Sequence, residues 1–102
     1  MSYLPLKQAF RLYQMYHMVQ QQFILDFLDT RPEVLNWYSL PPSNILIVSR
    51  SDLAALTGLV HVSFPWLYFT LAEVDSHQVN GWMNTQVWDF IANPKSSGRW
   101  GE

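Results

Sequence analysis

Glu73, Asp75 and His77, within "EVDSHQVNGW", are the residues of this chain whose types and spacing could do chemistry. On an extended backbone side chains alternate between faces, so all three would share one face. Two carboxylates and an imidazole gathered there could hold a divalent metal or act as an acid–base pair. The same residues also spell a turn. Asp75 and Ser76 bond readily to their own backbone, and polar residues follow an apolar strand wherever a chain reaches solvent. The turn is the reading favoured here, so no catalytic residue, metal ligand or cofactor is assigned. A small enzyme using His77 with Glu73 or Asp75 stands as the second alternative.

Other catalytic patterns are weaker still. No serine sits in a glycine-flanked elbow of the kind that exposes a nucleophile. The four glycines, at 58, 81, 98 and 101, lack the clustering that lets backbone amides cradle a phosphate. His17 and His61 read as partly buried imidazoles with one hydrogen bond each.

Composition narrows the class. The chain has 102 residues, of which 49% are hydrophobic and only 14% charged, with five Trp. Soluble domains average about 25% charge, so some apolar surface is expected to meet a partner, and Trp and Tyr are enriched at such interfaces. Six scattered Lys and Arg on a net charge of −2 leave no clustered basic footprint, and a nucleic-acid partner is not expected. Absence of Cys fits a reducing compartment. "MSYLPLKQAF" does not have the order of a signal peptide, and the longest apolar run is too short to span a bilayer. The expected location is cytoplasmic, with no membrane association.

The elements that must position these residues are read from periodicity. Residues 5 to 29 carry apolar side chains at helical spacing (Leu12, Tyr16, Val19, Phe23 and Phe27) with no internal Gly and one early Pro, which predicts a long N-terminal helix ended by Pro32. "PEVLNWYSLPPSN" reads as a helical turn and a Pro-rich bend, and "NILIVS" as a strand. "SDLAALTG" reads as a short helix closed by Gly58. Residues 59 to 74 fit strand or helix and lean to strand. Asn80-Gly81 is a hairpin signal, and "NTQVWDFIANP" is a closing helix capped by Asn84.

The predicted fold is therefore α+β: a long N-terminal helix packed on a small, mainly antiparallel sheet with two short helices. Residues 1–94 would form a single globular domain and residues 95–102 a loose C-terminal tail. The alternative is all-α. In "SRSDLAALTGLVHVSFPWLYFTLAEV", Ala54 and Gly58 followed by Phe64, Leu67 and Leu71 resemble the spacing of a helix-turn-helix unit, which implies a transcriptional regulator. Pro65 inside the recognition helix, and the absence of base-reading side chains from residues 64 to 74, argue against a working DNA reader.

The expected function is a non-enzymatic protein–protein interaction module: a small regulator, inhibitor or adaptor that occludes a partner's surface. A homodimer is expected as well. In the long helix, Lys7 and Arg11 lie near the N-terminus and Asp26 and Asp29 near the C-terminus, all opposed to the helix dipole. An antiparallel two-fold near Met18 would pair them between copies and bury Met18 and Leu25. Trp100, in the polar tail, is a further candidate contact.

Overall fold

The structure, a computed structural model, describes residues 10–96. Its elements follow in the order β1 (Arg11–His17), α1 (Gln21–Asp29), β2 (Val34–Leu40), β3 (Asn44–Ser49), α2 (Leu53–Ser63), β4 (Phe69–Val74) and α3 (Thr85–Ala92), with a 3-10 turn at Pro94–Ser96. The four strands form one antiparallel sheet in the order β2-β3-β1-β4. Chain order and sheet order together make a split β-α-β topology, with β3 between β1 and β2.

Two predicted arrangements are overturned. The long N-terminal helix is absent: residues 11–17 are a strand, and the helix after it covers only Gln21–Asp29. The physical reason is that residues 11–17 also obey period two. Tyr13, Met15 and His17 point to one face and Leu12, Gln14 and Tyr16 to the other, and in β1 the first set is wholly buried. The all-α alternative fails with it, because Phe69–Val74 pairs with β1 as a strand rather than forming a recognition helix.

Smaller corrections follow the same logic. Val34–Leu40, read as a helical turn, is β2. α2 runs through Gly58 to Ser63 instead of stopping at the glycine. Asn80-Gly81 forms no hairpin, since among the described residues no strand follows β4, and the turn after β4 lies earlier, at Ser76-His77. By contrast, β3 occupies the β-branched run Asn44–Ser49, and α3 starts at its expected cap, with Asn84 Oδ1 accepting from the Val87 amide at 3.1 Å.

Both faces of the sheet carry a core. Tyr13, Met15, Ile45 and Ile47 pack against Ile24, Leu25 and Leu28 of α1 and Leu56 and Val60 of α2. Leu12, Leu46 and Val48 point the other way and pack against Val87, Phe90 and Ile91 of α3. This explains why β3 reads as a continuous apolar run: a strand covered on both faces has no polar side. α3 covers only part of its face, and Gln14, Tyr16, Thr70 and Ala72 remain exposed beside it.

Candidate functional site

The residues singled out by sequence do not converge. Glu73 lies near the end of β4, where its carboxylate faces the Arg11 guanidinium of the neighbouring strand at 3.3 Å. Asp75 Oδ1 accepts from the His77 amide at 2.9 Å, and the Asp75 carbonyl accepts from the Gln78 amide at 2.8 Å. Those bonds make a turn, the local geometry that Asp and Ser favour. Arg11, Glu73, Asp75, Ser76, Ile91 and Pro94 are among the residues lining an open cleft of about 570 Å³. Its one guanidinium is already occupied by Glu73, and both partners are solvated, so the pair contributes little.

The residues expected to form a helical dimer seam are scattered. Arg11 belongs to β1, Met18 stands exposed in the bend after it, and Leu25 is buried in the core. Asp26 accepts from Gln22 Nε2 at 2.8 Å and Asp29 from Trp37 Nε1 at 2.8 Å, both within the chain. Lys7 and Trp100 lie outside the described residues. Without the long helix, no single helical face carries Arg11, Asp26 and Asp29 together, since Arg11 lies in β1 and only Asp26 and Asp29 in α1.

What the structure does bring together is aromatic. Phe23 and Phe27 are four apart on α1 and so share a face. Phe64, at the C-terminal cap of α2, packs against both, with ring centroids 5.0 Å from Phe23 and 4.8 Å from Phe27. Trp66, two residues on, lies 5.9 Å from each of Phe23 and Phe64. These separations and tilts are those that favour aromatic pairs. Phe27 and Phe64 are half-buried under the cluster, while Phe23 is 40% and Trp66 60% exposed. The apolar exposure continues along the chain at Val62 and at Tyr68, which is 80% exposed.

Local sequence explains why these rings stay outside. The Phe64 amide closes the last turn of α2 on the Val60 carbonyl, and Pro65 then ends any helical continuation. The Leu67 amide bonds back to the Phe64 carbonyl at 3.0 Å, which tucks Leu67 into the core and turns Trp66 outward. Asp26 follows Phe23 by three positions on α1, which sets its carboxylate beside the cluster, and α1 has no basic residue.

A second exposed site lies in the loop between β4 and α3, where Trp82 is 99% exposed beside Met83. The arrangement offers a semi-rigid aromatic surface, edged by carboxylate, that could receive an apolar side chain. No protein-family model, curated protein or solved structure matches this chain.

Proposed function

We propose that the protein is a protein-interaction module, a small regulator, inhibitor or adaptor that works by covering a surface of its partner. The observation that carries this reading is the ring cluster of Phe23, Phe27, Phe64 and Trp66, whose outer members are exposed on a chain with little charge. Leaving such rings in water forgoes their burial, and contiguous exposed apolar surface marks an interaction site. Trp and the other large aromatics are also the residues that anchor interfaces. The rings are held by one another, so little ordering entropy is lost when a partner arrives. A fitting partner carries an aliphatic or aromatic side chain for the cluster and a Lys or Arg for Asp26. Homodimerisation belongs to the same reading, through a different part of the surface.

The test is selection of short displayed peptides on the immobilised protein, compared with the Trp66→Ala variant. Selected peptides should combine an apolar anchor with a basic residue and should lose binding to Trp66→Ala. Absence of selection, or peptides indifferent to the substitution, would overturn the proposal.

A further inference from the structure

The two edges of the sheet are treated differently. At the β2 edge the ladder is interrupted by a bulge between Val34 and Asn36, and the 3-10 turn at Pro94–Ser96 lies against the strand, its Pro94 carbonyl accepting from the Asn36 side chain. A bulge and a covering segment are devices by which proteins keep an edge from pairing with another chain. Among the described residues, β4 at the other edge has none of these. Its six residues, "FTLAEV", pair with β1 in unbroken register, contain no Pro or Lys, and carry one charge, Glu73, already paired with Arg11. Among the described residues no segment pairs with its outer side.

We propose that β4 pairs antiparallel with β4 of a second copy, joining two sheets into one eight-stranded sheet across a two-fold axis. This rests on the protein-interaction reading above but uses a different surface. Residues directly opposite in an antiparallel pair share a face, so the axis must pass through a residue and not between two. Placed at Leu71, it engages the whole strand. Leu71 then meets its own mate, Phe69 faces Glu73 of the other copy, Thr70 faces Ala72, and Tyr68 faces Val74. The single carboxylate is thus set against an apolar ring rather than against its own copy, which makes the strand self-complementary in charge. Tyr68, exposed in one copy, gains Val74 of the other as a cross-strand neighbour. A foreign strand would need no such match of β4 with itself, so the observations favour a second copy.

Sedimentation equilibrium of the full chain tests this, because Thr70 and Ala72 are exposed and can be replaced without disturbing the core. The wild type should be a dimer at micromolar concentration. Thr70→Lys with Ala72→Lys sets like charges directly opposite at two symmetric places and should raise the dimer dissociation constant roughly tenfold or more. Thr70→Lys with Ala72→Glu sets opposite charges there and should restore the dimer, with circular dichroism unchanged in both variants. A wild-type chain that stays monomeric at high micromolar concentration overturns the proposal and leaves the aromatic docking site untouched. Equal dimerisation of both variants, or a swap that fails to restore pairing, overturns it too.

Discussion

His17 Nε2, at the end of β1, lies 2.5 Å from Oε1 of Gln21, the first residue of α1. The other ring nitrogen accepts from the Val19 amide at 3.3 Å, so the imidazole serves both flanks of the bend it spans. Gln21 in turn donates to Ser39 Oγ at 3.0 Å and to the Asn44 carbonyl at 2.6 Å, across the β2–β3 hairpin. The end of the first strand and the start of the first helix are thus fixed by polar groups supplied from elsewhere in the fold.

That network predicts the cost of breaking it. Gln21→Leu keeps the bulk of the side chain but leaves the buried His17 and the Asn44 carbonyl without their partner. A buried polar group stripped of its hydrogen bond costs about 1–3 kcal/mol, and urea denaturation should show a loss of that size. Gln21→Ala should fall in the same range. A midpoint unchanged from wild type would show that water replaces the amide.

The network also explains what was legible in the sequence. From Leu12 to Phe27 the apolar residues satisfy period 3.6 and, up to His17, period two as well. No Gly or Pro marks the break between strand and helix. The deciding partners, Ser39 and Asn44, are remote in sequence, and periodicity cannot see them. β2 was hidden for a related reason: Asn36 looks unsuited to a buried strand until the Pro94 carbonyl satisfies it. Gly58 gave a false stop because a glycine inside a helix costs only about 1 kcal/mol relative to Ala, which the burial of Leu56 and Val60 on either side of it offsets. β3 and α3 were legible because their signals are local: a β-branched run, and an Asn cap before an amphipathic segment. Turn chemistry at Asp75-Ser76 was legible on the same ground. The aromatic cluster was not, since α1 meets the end of α2 only through the tertiary fold.

The second core makes a sharper prediction about α3. Phe90 is fully buried between the helix and the sheet, with its ring 5.3 Å from that of Tyr38. Phe90→Ala should destabilise the protein by about 3–5 kcal/mol, the usual cost of emptying a buried aromatic site. Trp82→Ala, in the loop just before α3, removes a larger ring that touches almost nothing and should stay within about 0.5 kcal/mol of wild type. Equal effects of the two in urea unfolding would mean that α3 is not part of the cooperative core.

The last prediction concerns alkaline pH. Tyr13 is enclosed between β1 and the helices, and its hydroxyl donates to the Ser51 carbonyl at 2.6 Å. Burial raises its phenol above the ordinary value of 10.0, and the carboxylate of Glu73 adds to the rise, partly opposed by Arg11. A group whose pKa is higher folded than unfolded stabilises the fold fully below the unfolded value and loses that contribution as pH climbs through the folded one. Stability should therefore show no loss from this residue near neutral pH and a decline above pH about 10. Tyr13→Phe separates the two effects. It should cost about 1 kcal/mol near neutrality, the net worth of one hydrogen bond, and should make the decline above pH about 10 shallower than in wild type. Urea midpoints for both proteins across that range decide it, and parallel curves would mean that Tyr13 does not carry the alkaline transition.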